Sequence, residues 1–178
     1  MNSVKSHELV VLLDDAGRSI GTAPKSTVHH DSTPLHLAFS CYVFDDAGQV
    51  LLTRRALDKR AFPGIWTNSF CGHPTPDESV DDAVVRRARE ELGIDVVELR
   101  CVLPDFRYRA VDADGVVENE ICPVFCALVV GSVDADPKEI MDSAWVRWDQ
   151  LRAPAKFPRA ISPWAVEQVP LLHAAGVR

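Results

Sequence analysis

Five side chains of this sequence have the chemistry of a divalent-metal site. They are three imidazoles and two carboxylates: His29, His36, His73, Glu118 and Glu120. The two carboxylates are two positions apart in VENEI at residues 117–121, and side chains two apart share one face of a β-strand. Three imidazoles with two carboxylates suit a borderline divalent ion in octahedral geometry. Residue types alone leave open the alternative that these histidines are ordinary solvated loop residues.

Cys71 is a candidate for a reactive group. It lies beside Gly72, two positions before His73 and close to the start of a predicted helix. A helix N-terminus and a bound metal both favour the thiolate form of cysteine, but the sequence leaves the resting protonation of Cys71 open. A small buried core residue is the alternative. The other four cysteines lie in apolar runs and are predicted to be core residues.

The cysteine count and the charge balance limit where the protein acts and what it binds. Five cysteines without a CxxC pair argue against a disulfide framework and favour the reducing cytoplasm. Lys and Arg total 19 against 26 Asp and Glu, a net charge of −7, so nucleic-acid binding is not expected. The longest apolar stretch, residues 121–133, is interrupted and too short to span a membrane, so no membrane association is expected.

An amphipathic helix is predicted over residues 79–92. Its apolar stripe has steps of three and four: Val80, Ala83, Val84, Ala88 and Leu92. Gly93 is the predicted C-terminal cap. Glu90 and Glu91 each follow an arginine by four positions, which ordinary surface ion pairing on a helix would also explain.

Three turns containing Asp and Gly predict β-hairpins that position these groups. The paired strands are expected at residues 10–13 with 19–22, 37–44 with 50–54, and 106–111 with 116–130. Ser162 followed by Pro163 predicts the start of a closing helix over residues 164–172. Together these elements predict an α/β (α+β) fold, a mixed sheet sandwiched between α-helices. We expect a single domain over residues 1–178, with its core at about 25–165.

The loop before the predicted helix and the helix itself resemble the Nudix box, a loop–helix–loop motif that binds a divalent metal and a diphosphate. The matching positions are Gly72, Glu78, Arg86, Glu90, Glu91, Gly93 and Ile94. Arg87 stands where the family normally has a glutamate. Because a cation replaces a metal-binding carboxylate there, we expect the diphosphate to be gripped rather than cleaved.

Further motifs resemble a narrower family, the type I isopentenyl-diphosphate isomerases. They are TRRA at residues 53–56, FPGIW at 62–66, TNSFCGHP at 67–74, ENEICPVF at 118–125 and SPW at 162–164. The match runs from about Lys25 to Trp164. The resemblance implies the Nudix fold and an isomerase of isoprenoid biosynthesis. Such enzymes interconvert isopentenyl and dimethylallyl diphosphate by protonating an alkene and removing a proton two carbons away.

The same resemblance implies a role for each matching residue. The acid–base pair would be Cys71 and Glu120, with Tyr108 assisting at the alkene. One tightly held metal, Mn²⁺ or Zn²⁺, would have as ligands His29, His36, His73, Glu118 and Glu120. A Mg²⁺ site would use Glu91 and the main-chain oxygen of Cys71. The diphosphate would be held by Lys25, Arg55, Lys59 and Arg87, with Ser40 facing the substrate. Trp164 would face the hydrocarbon end, with Trp66 as an alternative aromatic face.

Two other functions remain open at this point. One is a Nudix hydrolase of a nucleoside diphosphate derivative, and the other is a catalytically silent diphosphate-binding protein. No Rossmann-type glycine motif is present in the sequence, so neither a flavin nor NAD(P) is expected. The expected partner is a small-molecule diphosphate, and the expected assembly is a monomer or a weak homodimer.

Overall fold

The computed structural model describes residues 8–152 and 160–177. Its strands are β1 (Leu9–Leu13), β2 (Ser19–Pro24), β3 (His36–Leu37), β4 (Phe39–Phe44), β5 (Gln49–Arg55), β6 (Trp66–Thr67), β7 (Phe70–Gly72), β8 (Asp95–Leu103), β9 (Arg107–Val111), β10 (Val117–Ile121), β11 (Val124–Val130) and β12 (Ile140–Arg147). Its α-helices are α1 (Lys25–Val28), α2 (Val80–Leu92) and α3 (Pro163–Ala174), and a 3-10 helix spans Trp148–Arg152. Within these two described stretches, no helix is long and apolar enough to cross a membrane.

The strands form two mixed sheets. The smaller sheet has the order β2–β1–β3–β10–β9. The larger sheet has the order β12–β5–β4–β11–β8, and β6 and β7 pair with β5 and β4. The pairs β3–β10 and β4–β11 are parallel, while the other pairs are antiparallel. The expected fold class is confirmed, but the strands are divided between two sheets.

Two segments predicted as single strands each pass from one sheet to the other. The chain breaks at Ala38 between β3 and β4, and at Cys122 and Pro123 between β10 and β11. Pro123 has no N–H and cannot continue a strand ladder as a donor. The two breaks run side by side, since Ala38 N–H donates to the Ile121 carbonyl and Ser40 N–H to that of Pro123. The parallel crossing brings residues of both sheets to one place.

The larger sheet lies between α2 and α3, as the sequence predicts. Side chains alternate along β4, so that Phe39, Cys41 and Val43 pack in one apolar cluster with α2. Tyr42 and Phe44 point to the opposite face and pack in a second cluster with α3. All of these side chains are buried. Burial on both faces explains why β4 reads as a continuous apolar run.

The predicted turns and the Gly93 cap are confirmed, and α2 begins one residue later than predicted. In each hairpin the glycine N–H donates to the aspartate carbonyl three residues earlier: Gly17 to Asp14, Gly48 to Asp45 and Gly115 to Asp112. The N-cap of α2 is Ser79, whose hydroxyl accepts from Asp82 N–H. Its C-cap Gly93 has a φ of 63°, in the left-handed region that glycine adopts at low cost. The helix α3 begins one residue earlier and ends two residues later than predicted.

Two long strands, β8 and β12, are absent from the sequence-based prediction. Glu98 in the middle of β8 has a φ of 51°, and the register between β8 and β11 shifts at two places. These irregularities remove the regular alternation that marks a strand. At the edge of the larger sheet, β12 exposes five of its eight residues, so its sequence lacks a long apolar run.

Candidate active site and metal centre

A cavity of about 110 Å³ lies where the two sheets meet. Its walls combine cationic side chains with aromatic, thiol, imidazole and carboxylate groups. The lining residues are Lys25, His29, Arg55, Lys59, Arg60, Ala61, Cys71, Gly72, His73, Arg87, Tyr108, Glu118, Glu120 and Trp164. Most of the predicted site residues therefore meet in one place, although they are up to 139 positions apart in sequence.

Cys71 and Glu120 reach this cavity from different sheets. Cys71 lies in β7 of the larger sheet, opposite Ser40 of β4. Glu120 lies in β10 of the smaller sheet, between His36 of β3 and Tyr108 of β9. Glu118 is on the same face of β10 as Glu120, as their spacing predicts, and both are 5% exposed. The thiol and the carboxylates thus reach a small molecule in the cavity from two different sheets.

Three imidazoles and Glu120 form a compact cluster. One ligand atom from each of His29, His36, His73 and Glu120 lies within 4.8 Å of all the others. Glu118 is the other carboxylate of the predicted set, and its Oε2 is 3.2 Å from His29 Nε2. The Nδ1 of His36 is 2.9 Å from the Pro34 carbonyl oxygen. This bond places the proton on Nδ1 and leaves Nε2 with a lone pair toward the cluster.

The cluster fits a divalent cation because its buried donor atoms lack hydrogen-bond partners. These atoms are His29 Nε2, His36 Nε2, both ring nitrogens of His73 and Glu118 Oε2. A buried polar atom without a partner is costly, so such groups in native proteins are nearly always satisfied. A metal ion bound among them would use these lone pairs. Nitrogen ligands with carboxylate oxygens suit Mn²⁺ or Zn²⁺.

Two members of the cluster have the charge states that suit metal binding. Burial lowers the pKa of His73 to about 3, so its ring is neutral near pH 7. Burial alone would raise the pKa of Glu120, but contacts with His36 and His73 hold that pKa well below its ordinary value. Neutral imidazole and ionised carboxylate are the forms that coordinate a metal ion. Burial raises the pKa of Glu118, and although burial opposes it, Glu120 raises the pKa of His36, so a metal ion competes with protons at these two residues.

The structure indicates the resting form of Cys71, which the sequence leaves open. Burial raises the pKa of its thiol to about 11, so the thiol is protonated at neutral pH. The helix α2 begins only at Val80, nine residues beyond Cys71, so its N-terminus does not favour a thiolate here. A protonated thiol in a cavity is able to donate a proton.

Aromatic side chains cover the part of the cavity near Cys71. Trp164, in the first turn of α3, is 2% exposed. Its ring packs edge-on against Phe62 at 5.3 Å and tilted against Tyr108 at 5.5 Å. The guanidinium carbon of Arg55 is 5.8 Å from the centre of the Trp164 ring. Burial raises the pKa of Tyr108 well above its ordinary value, so its hydroxyl is protonated. Tyr108 and Trp164 thus give the cavity an aromatic wall.

The four predicted cations, Lys25, Arg55, Lys59 and Arg87, all line the cavity. Arg87 is buried on α2, and its Nε donates to Glu91 Oε1 at 3.0 Å. Gly72 makes room for this arginine, because a Cβ at position 72 would be 2.8 Å from Arg87 Cγ. Neighbouring carboxylates, Glu91 and Glu139 among them, raise the pKa of Arg87 although burial opposes this. It therefore carries a permanent positive charge beside the cavity.

Three predicted site residues do not line the cavity: His36, which reaches it only through the histidine cluster, Glu91 and Ser40. Glu91, the expected carboxylate of the Mg²⁺ site, is buried on α2 and in contact with Arg87. Ser40 is fully buried, and its hydroxyl oxygen is 3.5 Å from the Cys71 sulfur and 3.4 Å from that of Cys122. Ser40 thus contacts the thiol directly, while its contact with a substrate stays a prediction.

Sequence reasoning missed three polar residues at the site. Arg60 lines the cavity, and its Nε donates to the His29 carbonyl at 3.3 Å. Glu139 forms an ion pair with Lys59 and lies 3.5 Å from Arg87. Asn68 is fully buried and contacts both Cys71 and Trp164. No spacing pattern marks Arg60 or Glu139, whereas Asn68 lies within the quoted TNSFCGHP segment.

Comparison with known proteins places this geometry in a family. A model of the NUDIX domain matches residues 34–165. A crystal structure of DR0079 from Deinococcus radiodurans has a TM-score of 0.69 at 18% identity and covers 91% of this chain and 97% of its own. The MutT protein from Methanosarcina mazei Go1 has a TM-score of 0.64 at 19% identity and covers 82% of this chain and 97% of its own. These two likenesses concern the fold alone, and the fold is that of a NUDIX domain.

Relatives with much higher identity narrow the assignment. An isopentenyl-diphosphate Delta-isomerase from Mycolicibacterium vanbaalenii is 68% identical over 177 residues, which are 99% of this chain and 98% of that protein. A protein of the same name from Clavibacter michiganensis is 60% identical over 93% of this chain and 86% of its own. The chain belongs to the NUDIX superfamily and, within it, to the isopentenyl-diphosphate Delta-isomerase family.

Proposed function

We propose that this protein interconverts isopentenyl diphosphate and dimethylallyl diphosphate by moving a carbon–carbon double bond. The observation that carries the proposal is the placement of Cys71 and Glu120 on walls from two sheets of one cavity. The two relatives described above are named isopentenyl-diphosphate Delta-isomerase, which is the name of the enzyme for this reaction. Because the two groups are separate, one of them can protonate the terminal alkene carbon. The other can remove a proton from the carbon next to the one that bears the diphosphate.

The reaction adds one proton to the terminal carbon and forms a tertiary carbocation. Loss of a proton from the second carbon then forms the new double bond, so the atoms and charges balance. The face of Trp164 stabilises the cation, and the surrounding rings keep water from capturing it. Tyr108 lies against both Trp164 and the Glu120 strand, where its hydroxyl assists proton transfer at the alkene.

The diphosphate supplies binding energy that holds the short hydrocarbon in place. Lys25, Arg55, Lys59 and Arg87 form charge-assisted hydrogen bonds to it. A first divalent cation, Mn²⁺ or Zn²⁺, would be held by His29, His36, His73, Glu118 and Glu120. Glu91 and the main-chain oxygen of Cys71 would hold Mg²⁺ beside the diphosphate. Bound divalent cations neutralise phosphate charge and fix the orientation of their carboxylate ligands. The cytoplasmic location, the single domain and the monomeric or weakly dimeric state remain part of this proposal.

The test is incubation of the purified protein with isopentenyl diphosphate and Mg²⁺ in heavy water, followed by NMR. Deuterium in a methyl group of dimethylallyl diphosphate is the expected result. Absence of exchange and of product from a folded, metal-loaded protein would overturn the proposal. Release of phosphate from a panel of nucleoside diphosphate derivatives would instead support the hydrolase.

A further inference from the structure

The side chain of Asn68 is a hydrogen-bond acceptor for two residues of the candidate site. One is Cys71, the candidate acid, and the other is Trp164, the candidate cation-stabilising ring. The Oδ1 of Asn68 accepts from the Cys71 thiol at 3.2 Å and from Trp164 Nε1 at 2.9 Å. Thr67 Oγ1 donates to the same oxygen at 2.7 Å. Cys71 and Trp164 are 93 positions apart in sequence and belong to β7 and α3, so Asn68 joins two separate elements.

The orientation of the Asn68 amide is fixed by its other end. Nδ2 donates to the Cys41 carbonyl at 3.0 Å and to the Phe70 carbonyl at 2.6 Å. Because both partners are acceptors, the NH₂ group has to face them, and the oxygen has to face the thiol and the indole. Asn68 is 0% exposed, so water does not compete for these bonds. All hydrogen-bonding groups of the amide are used.

Resting on the proposed function, we infer that Asn68 is a positioning residue that holds the Cys71 sulfur and the Trp164 ring in a fixed relation to each other. A proton donor and an aromatic face serve the same carbocation only when both are held within a fraction of an ångström. Asn68 touches neither the cations nor the histidine cluster among the contacts of the described residues. Its effect therefore falls on turnover and leaves diphosphate binding unchanged.

The experiment compares Asn68→Ala with Ser69→Ala. Ser69 is also fully buried, and its hydroxyl donates to the Leu51 carbonyl and accepts from Val43 N–H, without a contact to Cys71 or Trp164. Both variants lose buried hydrogen bonds to the backbone, so Ser69→Ala reports the purely structural effect. Measurements are kcat and KM for isopentenyl diphosphate, the affinity for inorganic diphosphate with Mg²⁺, and the rate of Cys71 alkylation by iodoacetamide, followed by mass spectrometry.

For Asn68→Ala we expect kcat to fall at least tenfold, KM and diphosphate affinity to stay within twofold, and Cys71 alkylation to accelerate at least threefold. For Ser69→Ala we expect all four values within threefold of the unmodified protein. Asn68→Asp serves as a second variant that keeps the size of the residue but loses the two N–H donors that orient it, and its kcat should fall at least fivefold. In a Trp164→Phe background, which lacks the indole N–H, the Asn68 effect on kcat should shrink.

An unchanged kcat in a folded Asn68 variant, or an equal loss in Ser69→Ala, would overturn the inference. A rise in KM with constant kcat would also overturn it, because it would place Asn68 in substrate binding. Failure of the proposed function is distinguishable from this. If the unmodified protein does not isomerise its substrate, the alkylation rates of Cys71 in the two variants still show whether Asn68 holds the thiol.

Discussion

Glu120 lies directly opposite His36 in the parallel pair of β10 and β3, with Oε1 of Glu120 3.4 Å from Nε2 of His36. The same oxygen is 3.4 Å from His73 Nε2. One carboxylate is thus shared between the histidine cluster and the cavity that Cys71 lines. This arrangement requires the side-by-side sheet crossings at Ala38 and Pro123, which bring the strands of Glu120 and Cys71 to the same place.

The shared position of Glu120 predicts that one substitution abolishes two properties. In Glu120→Gln the carboxylate charge is lost, while the size of the side chain is kept. We expect the affinity for Mn²⁺ or Zn²⁺ to fall at least about a hundredfold, because an anionic ligand is removed. Turnover should fall by about a thousandfold or more, as expected for removal of an acid–base group. Metal content by mass spectrometry and the isomerase assay measure the two losses.

Glu167→Gln is the matched control for this experiment, since Glu167 is exposed on α3. It should leave both metal content and turnover unchanged. Retention of metal and of rate in Glu120→Gln would show that the ligand set and the acid–base assignment are both wrong.

The sequence indicated the residues of the site better than it indicated their arrangement. The spacing of Glu118 and Glu120 correctly placed both on one face of β10, because alternation along a strand is a local property. Ser79 and Gly93 correctly marked the ends of α2 for the same reason. The resemblance to the family supplied the long-range grouping of His29 with His73, which no local pattern contains.

What the sequence could not supply depends on contacts between distant residues. The division of residues 116–130 between two sheets follows from pairing with β3 and β4, and only Pro123 signals it locally. The resting protonation of Cys71 could not be predicted, because the burial that raises the pKa of its thiol is not visible in the local sequence. Glu139 contacts the site through its ion pair with Lys59, which is 80 positions away in the sequence.

Cys71→Ala tests whether the thiol takes part in proton transfer. The substitution removes one atom of the cavity wall, so the protein should fold and keep its metal. Turnover should fall at least about a hundredfold because one of the two proposed acid–base groups is lost. Circular dichroism and the isomerase assay check the two statements.

Cys101→Ala is the control for the cysteine substitution. The prediction that Cys101 is a core residue was wrong, because it is exposed on β8 and does not line the cavity. The Cys101→Ala variant should retain full activity. Near-normal turnover of Cys71→Ala would remove this residue from the mechanism.

Arg87→Gln tests the cation at the changed position of the Nudix box. Loss of a charge-assisted contact worth about 1.5–3 kcal/mol should weaken binding of inorganic diphosphate by roughly ten- to a hundredfold. The free energy of unfolding should also fall by about 3 kcal/mol, because Glu91 is left buried without its partner. Calorimetric titration and urea unfolding measure these changes.

The control is Arg89→Gln, two positions along the same helix. Arg89 is 65% exposed in its side chain and pairs with Asp95, so both quantities should change little. Equal diphosphate affinity in Arg87→Gln and Arg89→Gln would argue against a grip by Arg87.

The ion pair between Glu78 and Arg86 should make the free energy of unfolding depend on pH in the acid range. Both nitrogens Nε and Nη2 of Arg86 donate to the Glu78 carboxylate, at 2.7 and 2.8 Å. The hydrogen bonds from Arg86 lower the pKa of Glu78 from 4.5 to about 2. A lowered pKa in the folded state stabilises the protein above pH 4.5, and this contribution is lost as the pH falls toward about 2. The contribution is on the order of 2 kcal/mol after allowance for partial exposure.

The measurement is urea unfolding of the unmodified protein and of Glu78→Gln between pH 2 and pH 7. The difference in unfolding free energy between them should be constant above about pH 5 and decrease toward zero near pH 2. Comparing the two proteins cancels the acid response of every other carboxylate that the substitution does not touch. Glu167→Gln should show no pH-dependent difference. A difference for Glu78→Gln that stays constant down to pH 2 would mean that the Arg86 contact does not set the ionisation of Glu78.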